Sequence, residues 1–306
     1  MLSKTYFHDE KAAFAHLEKV LWPEGPVCPK CGALDRIYVL EGVKDKKGRV
    51  RLGLKKCGHC KSQFTVRVGT VFESAHIPLT KILQAVYLMC ASKKGISAHQ
   101  MHRTLEITYK SAWFLCHRIR EAMRDGELAP MGGAGSIVEV DETFIGRDFS
   151  KPVKAGRGHK LVVLTLVERG GRARSFHVDR ATTANVIPIV QDNVRYESRI
   201  MTDEGGHYRN MKRLYASHET VNHFDGEYVR GEIHSNTVEG YFSIFKRGMK
   251  GVYQHCGEQH LHRYLAEFDF RYSNRKALGI EDGKRAGIAL RGITGKRLTY
   301  GGFKAS

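Results

Sequence analysis

The feature that most constrains this chain is a pair of cysteine doublets, Cys28-Pro29-Lys30-Cys31 and Cys57-Gly58-His59-Cys60, separated by about the length of a β-hairpin. A C-x-x-C turn aims two thiolates at one point, and two such turns complete a tetrahedral site for Zn²⁺. Gly32 and Gly58 stand where such knuckles need permissive backbone. Between the doublets, Arg36–Leu40 and Arg49–Leu54 read as strands, with Lys46-Lys47-Gly48 as the turn, and Phe64 and Val66 continue a third. The spacing predicts a zinc ribbon in which Cys28, Cys31, Cys57 and Cys60 hold a structural Zn²⁺, leaving His59 outside the set. Two redox dithiols would need a thioredoxin-like βαβ context, which is absent. A closed four-cysteine site has no open coordination position, so the chemistry must lie elsewhere in the chain.

Charge supplies the next constraint. The 306 residues carry 50 Lys and Arg against 32 Asp and Glu, a formal net charge of +18 spread along the chain. A field of that sign attracts a polyanion, and phosphates release counterions on binding, so nucleic acid is the leading partner. With 42% hydrophobic residues, the chain can build two or three compact units with real cores. No apolar stretch reaches bilayer-spanning length. Met1 to Leu21 carries Asp9, Glu10 and Glu18 among its apolar positions and lacks a signal-peptide core. These readings place the protein in the cytoplasm, away from membranes, where the remaining cysteines Cys90, Cys116 and Cys256 read as structural.

Beyond the ribbon the period becomes helical. Ile82, Leu83, Val86, Tyr87 and Met89 mark a helix over Leu79 to Cys90. Ser97 then reads as the N-cap of a short helix to Leu105, and Thr108 as that of a longer one to Met123. The longer helix has an apolar stripe of Ala112, Cys116, Ile119 and Met123, leaving Lys110, Arg118, Arg120 and Arg124 for other faces; Trp113 reads as packing. Two helices joined by so short a turn resemble a helix-turn-helix, or equally an ordinary helical hairpin. Met131-Gly132-Gly133-Ala134-Gly135 reads as a flexible link.

From Ser136 onward strands take over. Ile137–Ile145 is a β-rich run with Asp141 at its centre; Leu161–Val167 and Arg174–Val178 follow, then a helix from Thr183 to Val194. Arg199–Met201 forms a further strand that runs into Asp203-Glu204-Gly205-Gly206. Three strands, a helix, then a strand with a carboxylate at its end is the ordering of an RNase H-like core, whose first and fourth strands lie side by side. Asp141 and Asp203 would then be neighbours, with Glu142 and Glu204 pointing to opposite sides.

A third carboxylate is expected from a helix over His234 to Arg247. There Val238, Tyr241, Phe242 and Phe245 form the buried stripe, and Glu239, Ser243 and Lys246 share a flank at its edge. Glu239 can face the two aspartates, and Lys246, two turns on, can reach a phosphate. Three carboxylates suit a pair of hard cations, Mg²⁺ or Mn²⁺, which activate the attacking oxygen and stabilise the leaving one at phosphorus. Gly156-Arg157-Gly158-His159-Lys160 and Lys246, Arg247 and Lys250 are placed to track phosphates, and His207, His234 and His255 could approach the site.

The runs Val140-Asp141-Glu142-Thr143-Phe144-Ile145-Gly146, Thr202-Asp203-Glu204, Asn236-Thr237-Val238-Glu239-Gly240 through Lys246-Arg247-Gly248, and Tyr264-Leu265-Ala266-Glu267-Phe268 to Arg275 resemble the zinc-ribbon DDE transposases of bacterial insertion sequences, the ISXO-like group. The likeness covers nearly the whole chain. It implies hydrolysis at transposon ends, then attack of the freed 3′-hydroxyl on target DNA, both ends and target being double-stranded. It also implies that Asp141 bridges the metals, that Asp203 and Glu239 complete the set, and that Lys246 contacts DNA near the cleavage point. Some relatives carry Asn or His in place of the third acid, so Asn236 keeps a claim to that role.

The expected architecture is α+β and multidomain. It comprises an N-terminal segment and ribbon (1–68), a helical, helix-turn-helix-like DNA-binding region (69–130), an RNase H-like α/β catalytic core (136–277) and a basic C-terminal tail (278–306). A homo-oligomer is expected from the need to hold two DNA ends, and the resemblance adds the bacterial nucleoid as location. Two alternatives use the same residues: a nuclease or resolvase that cuts without joining, and a domesticated regulator that only binds.

Overall fold

A computed structural model of the chain describes residues 2–124, 126, 129–147, 150, 152–153, 159–221 and 229–299. It divides into two units, one of Met1–Ser92, Ile96–Arg124 and Glu281–Ser306, the other of Lys93–Gly95 and Asp125–Ile280.

In the first unit, helix α1 (Glu10–Leu21) is capped by Asp9, which accepts the Ala12 N–H at 2.6 Å, and it buries Ala13, Phe14 and Leu17. The ribbon follows as a three-stranded antiparallel sheet, β1 (Ile37–Val39), β2 (Lys55–Cys57) and β3 (Gln63–Phe64), in that spatial order. Its second strand thus lies later than the sequence suggests. Arg49–Leu54 contributes a single bridge, Lys44 to Val50, around a turn in which Asp45 accepts the Lys47 and Arg49 N–H groups. The extended run fails at Gly53, whose φ of +65° turns the chain against Phe14.

Helices α2 (Leu79–Ala91), α3 (Ala98–Leu105) and α4 (Tyr109–Met123) come next. The predicted caps are in place: Ser97 accepts the Gln100 N–H at 3.1 Å and Thr108 the Ser111 N–H at 3.2 Å. The exposure expected for α4 is corrected, because every residue from Leu115 to Met123 is buried, Arg118 and Arg120 included. The C-terminal segment explains this. The described part of the expected tail, 278–299, does not stand apart; Asp282–Arg291 is a helix packed against α2 and α4. Beyond it the Leu298 carbonyl accepts from Arg118 at 3.4 Å, and Lys296 donates to the Ala122 carbonyl at 3.3 Å. Apolar Ala286, Ala289, Leu290 and Ile293 supply the driving force. Of α4, the first turn with Tyr109 and Lys110 remains exposed.

The second unit is built on a five-stranded sheet. Strands β4 (Ile137–Ile145), β5 (Leu161–Glu168) and β6 (Ala173–Val178) are antiparallel, and β7 (Arg199–Thr202) and β8 (Ser217–Thr220) run parallel to β4, in the order β6-β5-β4-β7-β8. Helix α5 (Thr183–Asn193) makes the crossover that a parallel pairing requires. A small hairpin, β9 (Val229–Arg230) with β10 (Ile233–His234), precedes α6 (Asn236–Gly248) and α7 (Glu258–Ser273).

This sheet is apolar on both faces. Val138, Val140, Leu164, Leu166 and Ile200 pack with Val186 and Val190 of α5. Val163 and Val167 pack on the opposite side with Val238, Tyr241, Phe242 and Phe245 of α6 and with Leu261, Leu265 and Phe268 of α7. The glycine segment is part of this unit and no free link. Met131 is buried and bridges Val194; Gly133 donates to Ser198 Oγ at 2.9 Å, and a Cβ on Gly132 would come within 2.2 Å of that atom.

Candidate active site

Alternation along β4 sorts its acidic residues. Val138 and Val140 face the α5 side, so Glu142 does too, while Glu139 and Asp141 face the side of α6 and α7. The parallel register pairs Val138 with Ile200 and Glu139 with Met201. Two residues further on, the same register brings Asp141 level with Asp203, the first residue past β7. Asp203 turns the chain there, its Oδ1 accepting the Gly205 N–H at 3.0 Å. Glu239 stands in the first turn of α6, exposed, and accepts from Ser235 Oγ at 2.8 Å. Lys246 is half-buried two turns later, its Nζ 5.8 Å from the Phe242 ring centre.

The electrostatics tie these residues together. Burial pushes the Asp141 carboxyl up to about 8, and the charges of Asp203, Glu142 and Glu239 push the same way, against a 2.7 Å hydrogen bond from the Glu142 N–H. Asp203 is raised too, by burial first and by Glu142 and Glu204, with the Gly205 N–H and His207 opposing. Glu142 behaves differently. Burial alone would raise it, yet hydrogen bonds from His207 Nε2 (3.1 Å) and Tyr208 hydroxyl (2.7 Å) hold it below the usual carboxylate range. The same contact with Glu142 raises His207.

Ionisation of Asp141 and Asp203 is therefore poorly compensated, whereas the Glu142 carboxylate is satisfied. Asn236 is exposed, and its N–H donates to His234 Nδ1 at 3.3 Å. His255 is exposed. Gly156, Arg157 and Gly158 lie outside the described residues.

In the ribbon, the sulfurs of Cys28, Cys31, Cys57 and Cys60 all lie within 4.8 Å of one another, with Cys28 to Cys60 and Cys31 to Cys57 each 3.6 Å. A tetrahedron of Zn–S bonds has an edge of about 3.8 Å, so the donor set fits the ion. Without a cation the four thiols oppose one another: the Ser62 hydroxyl and N–H hold Cys60 down to about 6, while Cys31, against the Ala33 backbone hydrogen bond, is pushed up to about 12 by desolvation and the neighbouring cysteines. His59 turns away to Asp35 at 2.9 Å. Among the described residues this is the one set of ligand atoms so closely gathered; the carboxylates of Asp141, Asp203 and Glu239 stand further apart.

Comparison with known proteins decides the family. Residues 132–273 match the ISXO2-like transposase domain, and residues 8–63 match the transposase zinc-ribbon domain. The chain carries the two domains of an ISXO2-like transposase. It is also 28% identical, over 286 residues, to a protein carried in the transposable element ISH50 of Halobacterium salinarum, covering 88% of this chain and 92% of the relative.

The two matched regions divide the candidate residues between them. The ribbon match holds all four cysteines, and the domain match holds Asp141, Asp203, Glu239 and Lys246. His207 does approach the site, as its sequence position suggests, whereas Tyr208 and the buried Glu139 escape a reading of the sequence. Tyr208 and His207 close over Glu142, and Glu139 is wholly buried beneath α6. The available signal for Glu139 was a charged residue in the buried middle of a strand, where a carboxylate demands a partner.

Proposed function

We propose that this transposase cuts and joins DNA by two-metal-ion phosphoryl transfer, with Asp141, Asp203 and Glu239 as the carboxylate ligands. The observation that carries the reading is the Asp141 carboxyl, half-buried on the central strand and pushed up to about 8 by desolvation and by three neighbouring acids. Such crowding is unfavourable until cations arrive, and a phosphodiester brought to it alone would add another negative charge. Oxygen donors suit Mg²⁺ or Mn²⁺, which when bound as a pair activate the attacking oxygen and stabilise the leaving one.

The protein's own residues set the geometry. Asp141, on the strand with neighbours on both sides, would hold the cations together with Asp203, which stands at the end of the adjacent strand. Glu239 reaches in from α6, oriented by the Ser235 hydroxyl, and is favoured over Asn236 because it adds charge to the site. Glu142 is withheld by His207 and Tyr208. Lys246 contacts the DNA phosphates near the scissile bond.

The wider reading is that the net charge of +18 serves double-stranded DNA, both transposon ends and target. Two ends imply a homo-oligomeric synaptic complex, acting in the cytoplasm at the nucleoid. Among the described residues no helix is long and apolar enough to cross a membrane.

Strand transfer with labelled transposon-end DNA and Mg²⁺ or Mn²⁺ tests the reading. Asp141→Ala abolishes cleaved and joined products while DNA binding persists; products from that variant refute the site. Cleavage without joining by the unmodified protein would make it a nuclease, and binding without either reaction a regulator.

A further inference from the structure

We infer that Glu139 is a positioning residue for the proposed metal site: from the Asp141 side of β4 its carboxylate caps the start of α6 and so fixes where Glu239 stands relative to Asp141. The inference rests on the metal-site reading above.

Glu139 is 0% exposed and both its oxygens are fully engaged. Oε2 accepts the Thr237 and Val238 N–H groups at 2.8 and 2.9 Å; Oε1 accepts the Thr237 hydroxyl at 2.8 Å and Arg169 Nε at 2.6 Å. Four donors leave no lone pair aimed at a cation, so Glu139 is no ligand itself. The N–H groups it takes are those a helix cannot satisfy internally. Ser235, the N-cap of α6, makes no capping bond with its side chain; its hydroxyl donates to Glu239 instead. The distant carboxylate does the capping, and the local hydroxyl is left to orient the third acid.

The connection between the acids is short on both sides. Glu139 and Asp141 are two residues apart on one strand face, a rise of about 7 Å, and Glu239 directly follows the capped Val238. Arg169 completes the arrangement. Beside its bond to Glu139, its Nη1 donates to the Glu232 carbonyl at 2.7 Å, and its Nη2 to the His234 carbonyl and Nδ1 at 2.9 and 3.0 Å. One guanidinium thus neutralises the buried carboxylate and holds the chain that leads into α6. This is also where His234 belongs: in the clamp, not among the ligands.

The test titrates Mn²⁺ into the full-length, zinc-loaded protein and reads free Mn²⁺ by electron paramagnetic resonance. The unmodified protein shows binding that Asp141→Ala removes. Glu139→Gln, which places an N–H₂ against the helix N–H groups, weakens that binding on the order of 10–100-fold with helical circular dichroism retained. Thr237→Val, missing one donor, weakens it less, and Thr237→Ser, which keeps the hydroxyl, binds as the unmodified protein does. A cap that serves stability alone would lower the melting temperature of Glu139→Gln and Thr237→Val and leave Mn²⁺ affinity unchanged; that result overturns the inference. Should Glu139→Gln fail to fold, the Thr237 pair decides by the same criterion. Absence of Asp141-dependent binding in the unmodified protein instead overturns the metal-site reading, and this inference with it.

Discussion

Asp141→Asn should stabilise the metal-free protein, and by an amount that depends on pH. The Asp141 carboxyl ionises at about 8 in the folded chain against an ordinary value of 3.8. Between those values the native state holds a proton that the unfolded state has released, so native stability falls as pH rises through the window and levels off above it. Each pH unit contributes about 1.4 kcal/mol, and pH 7 lies about three units above 3.8, which gives a loss of about 4 kcal/mol relative to acid conditions.

Asparagine removes the titration and keeps an oxygen for the Glu142 N–H, so the gain at pH 7 should be about 2–4 kcal/mol, less where solvent relaxes the charge. At pH 4 the gain should vanish. Urea denaturation without added divalent ion measures it, and the protein supplies an internal control. Both tryptophans, Trp22 and Trp113, belong to the first unit, so their fluorescence transition should not move while the circular dichroism transition of the sheet unit does. Mg²⁺ should then raise the stability of the unmodified protein and not that of the variant. An Asn variant no more stable at pH 7, or equally stabilised at pH 4, would refute the account of Asp141 as a poorly compensated acid.

Two further outcomes concern the first unit. Chelating the ribbon metal, or Cys57→Ser, should change the emission of Trp22, whose ring meets Phe64 edge-on at 6.0 Å beside the cysteines, with recovery on adding Zn²⁺ to the unmodified chain; unchanged emission would mean the ribbon core stands without metal. Glu10→Ala should cost about 1–2 kcal/mol in the tryptophan-monitored transition, because Glu10 accepts the Leu79 and Thr80 N–H groups at 2.6 and 3.0 Å at the start of α2; a change within error would show that water replaces it.

What the sequence reveals about this chain, and what it hides, follows one physical division. The strands around Asp141 and Asp203, the helix bearing Glu239 and the cysteine doublets are local patterns, carried by periodicity and spacing within a few residues. Arg118 and Arg120 illustrate the other class. On α4 they look like solvent-facing cations, yet both are buried, Arg118 with its guanidinium on the Leu298 carbonyl from the far end of the chain, and no local pattern announces such a return. The second ribbon strand was misplaced for a related reason: residues 49–54 have strand-like composition, but Gly53 turns the chain against Phe14 of α1, a contact made across the fold.

Helix caps make the division sharpest. Helices α3 and α4 are capped by Ser97 and Thr108, residues adjacent to the turns they cap and legible as such. Helices α2 and α6 begin at Pro78 and Ser235, neither of which caps with its side chain. Each instead receives a glutamate from far away, Glu10 at the Leu79 N–H and Glu139 at the Thr237 and Val238 N–H groups. A local cap stabilises a helix wherever it sits, whereas a distant one also ties the helix end to another element. In α2 that tie joins two helices of the first unit. In α6 it joins the helix that bears Glu239 to the strand that bears Asp141, so the contact that sequence reading could not find is the one on which the spacing of the candidate site depends.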